Sequence, residues 1–135
     1  MKLYADEYGS ETVQGLEGVI VSGIARVEVP AALWRKERTG ELDAGDANLL
    51  SWEFGVDFAG TRHEEPRFSV VSLTDRLLED AARLVGVHRL RAYDAVQLAA
   101  AVTARSADPA CEWFACFDHA LRTAAAAHGF ALVPA

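Results

Sequence analysis

Four short apolar runs recur along the chain: Val19-Ile20-Val21, Phe68 to Leu73, Trp113 to Phe117 and Phe130 to Val133. Each is too short for a buried helix and rich in β-branched or aromatic residues, so each reads as a strand. The stretches between them carry helical spacing. Strands joined through helices cannot close as hairpins; they pair in parallel, with helices packed over the sheet. This alternation predicts an α/β fold with a central parallel sheet flanked by helices.

The helices have readable ends. One runs from Gly23 toward Arg38 and stops at Thr39-Gly40, with Pro30 removing a backbone bond and bending it. A second is expected over residues 46–58. Thr74 caps a third, which runs through Leu84 with Leu77, Leu78, Ala81 and Ala82 on its apolar side. A fourth spans residues 92–105, and a fifth spans 118–128 and closes at Gly129. Residues 2–7 read as a helical fragment with no strand before it, which points to an element expected upstream.

At 135 residues and 51% hydrophobic, the chain can bury a core without metals or disulfides as staples, and it is too apolar for disorder. The least polar stretch, Ala92 to Ala104, is broken by Asp94, Gln97 and Thr103, far short of the roughly 20 apolar residues of a membrane span. No signal peptide is expected, since Asp6 and Glu7 come early. Cys111 and Cys116 fall in what reads as one strand, on opposite faces and roughly 16 Å apart, so they do not pair. A reducing, cytoplasmic location is the simplest expectation. The net charge is −7, which argues against a broad basic face for nucleic acid. It leaves room for acids that hold a cation, with local arginines for phosphates.

Three acids stand out from the solvated ones. Glu28 shares a helical face with Ile24, Ala31 and Ala32; Asp94 opens the apolar fourth helix; Asp118 follows the strand ending at Phe117. That last position is the carboxyl edge of a strand, where open α/β sheets bind ligands. Read singly, Asp94 and Asp118 are also ordinary helix caps, and Glu28 could pair with an arginine or face water. Read together, clustered carboxylates repel one another unless a cation neutralises them. Oxygen ligands of this kind suit Mg²⁺ or Mn²⁺, which activate water for phosphoryl chemistry.

Four segments carry a family resemblance: Lys2-Leu3-Tyr4 with Glu7 and Gly9-Ser10-Glu11; Ser22 with Arg26 to Leu33; Arg91-Ala92-Tyr93-Asp94-Ala95-Val96-Gln97-Leu98-Ala99; and Phe117-Asp118 with Leu121, Ala124 and Gly129-Phe130. In this order the chain resembles the PIN domain, and within it the VapC-type toxins of bacterial toxin–antitoxin pairs. The resemblance implies a single PIN-like domain over residues 1–135, a three-layer fold with a central parallel sheet. It implies a Mg²⁺- or Mn²⁺-dependent ribonuclease with Glu28, Asp94 and Asp118 as metal ligands and catalytic acids. It also implies an RNA substrate, a homodimer, and a VapB-type antitoxin whose C-terminal segment enters the acid pocket. The family's first acid lies at the end of a strand ahead of the helix that here begins at Met1, so the domain is expected to be N-terminally incomplete. A late-called translation start, a natural truncation or a degenerate copy would each produce that. Cys116 departs from the hydroxyl residue that relatives often carry two places before the aspartate.

Two further classes stay open: a catalytically impaired remnant that only dimerises or binds an antitoxin, and a small α/β binding module unrelated to RNA. Arg91 is a candidate for an RNA phosphate, or else for a structural ion pair. Arg35, Lys36 and Arg38 suit either phosphates or the C-terminal end of their helix. Trp34, Trp52 and Phe54 read as core or as a partner surface. Cys116, His119 and His128 match no common zinc spacing. No phosphate-binding glycine loop, nucleophile elbow or Cys-x-x-Cys appears.

Overall fold

In the computed structural model, which describes residues 19–135, the four apolar runs become four three-residue strands. These are β1 (Ile20–Ser22), β2 (Ser69–Val71), β3 (Trp113–Ala115) and β4 (Ala131–Val133). Between β1 and β2 lie α1 (Ala25–Arg38) and α2 (Ala44–Ala59); between β2 and β3 lie α3 (Asp75–His88) and α4 (Ala92–Ala107); α5 (His119–Ala127) joins β3 to β4. The expected helical fragment at residues 2–7, and the motif residues from Glu7 to Glu11, lie outside the described residues.

The architecture is mixed α/β with parallel pairing. β1 pairs with β2, Ile20 opposite Ser69, and β3 pairs with β4, Trp113 opposite Ala131. Where the sequence suggested one central sheet, the described residues form two two-stranded sheets. The strands are shorter than their apolar runs because the flanking residues have other packing partners. Phe117 leaves β3 to pack against Val29, Leu33, Phe54 and Phe68. The Trp113–Phe117 run also departs from a strand covered on both faces: Trp113 is 65% exposed while Phe114 is 7% exposed, so one face alone is covered. Cys111 and Cys116 fall on either side of β3 rather than within it, and both are free thiols.

Among the described residues the core has two parts. The larger gathers Leu77 and Ala81 of α3, Ala95, Leu98 and Ala99 of α4, Phe114 of β3, Leu121 and Ala124 of α5, and Phe130. The smaller joins Val29 and Leu33 of α1, Phe54 of α2 and Phe68. α4 packs against α3, α5, β1 and β2, which makes it the central wall of the molecule. Its run of alanines lets neighbours approach closely on several sides.

Helix ends follow local chemistry. The Asp43 side chain accepts from the Asp46 N–H at 2.7 Å, so α2 starts ahead of the expected Asp46. α3 continues past Leu84 to His88 before Arg89 adopts a left-handed conformation at φ 55°. α1 passes through Pro30 without ending, its buried stripe being Val29, Ala32 and Leu33. The Thr74 hydroxyl accepts from the Leu77 N–H at 3.1 Å, as its place before α3 predicts. Thr74→Ala should therefore lower stability by about 1 kcal/mol in urea unfolding, while Thr74→Ser changes it by only a few tenths of that. Among the described residues, no helix is long and apolar enough to cross a membrane.

Candidate functional site

Glu28, Asp94 and Asp118 stand at the start of three different helices. Glu28 is in the first turn of α1, Asp94 in the first turn of α4, and Asp118 is the residue that caps α5. Free backbone N–H groups at helix starts favour negative charge, which is one physical reason acids collect there. The two helices α1 and α5 begin just after β1 and β3, so strand ends deliver two of these acids.

The three carboxylates are held differently. Asp94 is buried, its side chain only 6% exposed, and the Arg91 Nε donates to its Oδ2 at 3.0 Å. The same guanidinium reaches Asp118 Oδ1 at 3.6 Å through Nη2. Asp118 also accepts the Leu121 N–H on Oδ2 at 3.0 Å, so it caps the helix and faces Arg91 at once. Glu28, half-buried, accepts from Gln97 Nε2, which lies three residues beyond Asp94 on α4 and so on the same face. The reading of Asp118 as a cap holds, but as one of its two contacts. Asp94 is not the cap of α4: that place belongs to Arg91, which makes no side-chain cap bond.

Electrostatics link Asp94 to Asp118 and Glu28 to Asp94. Burial pushes the Asp94 carboxyl above its ordinary value, more than the Arg91 hydrogen bond and charge pull it down, and the charge of Asp118 adds to the rise. Burial likewise raises Glu28, partly offset by the Gln97 hydrogen bond and reinforced by the charge of Asp94. Like charges drawn together with raised proton affinity are what a cation relieves. Arg91 supplies positive charge here, held protonated first by its hydrogen bond to Asp94. Its side chain is 61% exposed, and its guanidinium lies over the Tyr93 ring at 4.8 Å.

Three carboxylates against one guanidinium leave negative charge over, and hard oxygen donors are the chemistry Mg²⁺ or Mn²⁺ prefers. In this arrangement Arg91 and Gln97 occupy the acids. Among the described residues, no group of three or more His, Cys, Asp or Glu side chains converges to hold a metal.

Other singled-out residues fall into place. Cys116 is buried, and burial pushes its thiol up to about 12, so it stays protonated and is no nucleophile at neutral pH. Its carbonyl accepts from Arg122 Nη1 at 2.9 Å, while Arg122 Nη2 donates to the Pro134 carbonyl at 2.7 Å. Arg122 thus ties the exit of β3 to the end of β4, a role its sequence position gave no sign of. Lys36 pairs with Glu41 at 2.8 Å, and Arg35 and Arg38 also lie in the last turn of α1, where cations suit the helix end. Phe54 is core, Trp34 is half-buried and Trp52 is 66% exposed, so the three aromatics do not form one surface. His119 opens α5, while His128 meets His88, a partner no sequence spacing indicated. Gln97 had stood out only as a polar break in an apolar stretch.

No protein-family model matches the chain, and no curated protein matches it in sequence.

Proposed function

We propose that the chain is a Mg²⁺- or Mn²⁺-dependent endoribonuclease of the PIN-domain VapC type, built as a three-layer α/β fold around the acid cluster. The observation that supports this reading is the meeting of Asp94 and Asp118, from separate elements, on one guanidinium. Glu28 is linked to the same face of α4 through Gln97. Glu28, Asp94 and Asp118 would hold the cation, in place of Arg91 as their counter-charge. Bound there, such a cation would supply positive charge that lets a water ionise near neutral pH and that offsets charge on the phosphoryl oxygens of a phosphodiester.

The chain's own groups do the rest. Burial of Asp94 strengthens its interaction with any positive charge at the site. The N-terminus of α5 fixes Asp118 through Leu121, leaving Oδ1 turned toward Arg91. Arg91, exposed beside both acids and ion-paired with them, would receive a phosphate once a cation relieves it, the first of the two roles its sequence position suggests. An RNA substrate, a homodimer and a VapB-type antitoxin belong to the same proposal.

The direct test is cleavage of a fluorescent single-stranded RNA by the whole chain with Mn²⁺, with Mg²⁺ and with excess chelator. Turnover with either metal and none with chelator supports the reading; equal rates in all three oppose it. A second reading, a non-catalytic member that binds a partner, is favoured by the pairing of Arg91 with both aspartates. Absence of turnover in a chain whose far-ultraviolet dichroism shows it folded would select that reading.

A further inference from the structure

We propose that the contact between His88 and His128 is an acid-released clip joining the C-terminal ends of α3 and α5. The two Nε2 atoms lie 2.9 Å apart, with the rings edge to face at 5.0 Å between centroids. At that separation one imidazole donates its N–H to the lone pair of the other. The bond requires an acceptor, and a pair in which both rings carry protons has none. Both residues are half-buried, and each ends or follows a helix: His88 is the last residue of α3 and His128 caps α5.

The surroundings oppose a proton. The groups that act on His128 are burial first, then His88 from α3 and Arg105 from α4, and all three lower its proton affinity. Arg105 is itself fixed, its guanidinium 4.1 Å from the centre of the Phe130 ring. A base whose folded-state proton affinity is depressed contributes stability that is fully present above its ordinary value of about 6.5 and is lost as pH falls below it. The clip therefore holds at neutral pH and opens in acid.

Its place gives the opening a consequence. α5 begins at Asp118 in the acid cluster and ends at the clip, so loss of the histidine contact frees the far end of that helix from α3. The Phe130 N–H bond to the Ala125 carbonyl, at 3.1 Å, and the Gly129 N–H bond to the Ala126 carbonyl, at 2.9 Å, lie at the same turn and report on it.

The test uses the whole chain and two substitutions, His88→Asn and His128→Asn. Urea unfolding at pH 7.5 and 5.5 should show the unfolding equilibrium constant of the unsubstituted chain rising about 3- to 10-fold more on acidification than that of either variant. Amide exchange at Gly129 and Phe130, corrected for intrinsic rates, should quicken in acid several-fold in the unsubstituted chain only. Equal ratios in all three chains overturn the proposal. Should a variant fail to fold, ring-proton titration of the unsubstituted chain decides: His128 titrating below about 6.5 supports the clip, and at or above it refutes it.

Discussion

If the chain is the metal-dependent ribonuclease proposed above, Asp94→Asn reduces RNA cleavage by at least about 100-fold while the chain remains folded. Asparagine keeps the shape of the aspartate and its capacity to accept from Arg91, but removes the charge. The effect on stability should run against intuition. Burial raises the Asp94 carboxyl above its ordinary range, so the folded state holds that proton more tightly than the unfolded state does. Stability from this source is complete below the ordinary aspartate value of about 3.8 and is lost as pH rises through the raised value. At neutral pH the ionised side chain is therefore a cost that Arg91 offsets only in part, and Asp94→Asn should leave stability at pH 7 equal or higher. Cleavage rates and urea midpoints measured on the same preparation separate the two effects. Lost stability with cleavage intact would make Asp94 a structural acid.

A large loss of stability should come from Leu98→Ala. Leu98 is fully buried on the face of α4 that meets α3 and α5, and it belongs to the larger core cluster. Removing its side chain leaves a cavity lined by elements that cannot all collapse inward, at a cost of about 3–4 kcal/mol. Leu78→Ala, at a side chain 44% exposed on α3, is the matched control and should cost less than about 1 kcal/mol. The difference reads directly as a shift in urea midpoint at constant slope.

Much of the fold was legible because its signals are local. Thr74 before an amphipathic stretch, Gly129 after one, and the apolar runs around Ile20, Val70, Phe114 and Leu132 each state their structure within a few residues. Strand lengths were not, because they depend on what the flanking residues find to pack against. Phe117 reads as strand until a second cluster offers it a place. The end of α3 was missed because Val85 and Val87 flank Gly86, a pattern that weakens helix propensity, yet the turn beyond Leu84 is completed by His88. At the site, Glu28, Asp94 and Asp118 were picked out by being acids among apolar neighbours, which is a sequence property. Their partners Gln97 and Arg91 act across space, and Gln97 becomes informative only when α1 lies beside α4. Arg122 and His88 carry no local signature, since their contacts are set by the arrangement of β3, β4 and the ends of α3 and α5.

The position of α4 bears on the order in which the molecule assembles. α3 and α4 are joined by a three-residue turn, Arg89 to Arg91, and pack closely on one another. Such a helical hairpin closes a short loop and forms with little loss of chain entropy. The pairing of β1 with β2 closes a loop that holds all of α1 and α2, and that of β3 with β4 one that holds α5, so each carries a larger closure cost. Loop-closure entropy favours the hairpin forming first, with Asp94 and Arg91 near its turn. Formed in that order, the fold would bring Asp118 to a guanidinium already held beside Asp94, which offsets the repulsion between the two carboxylates.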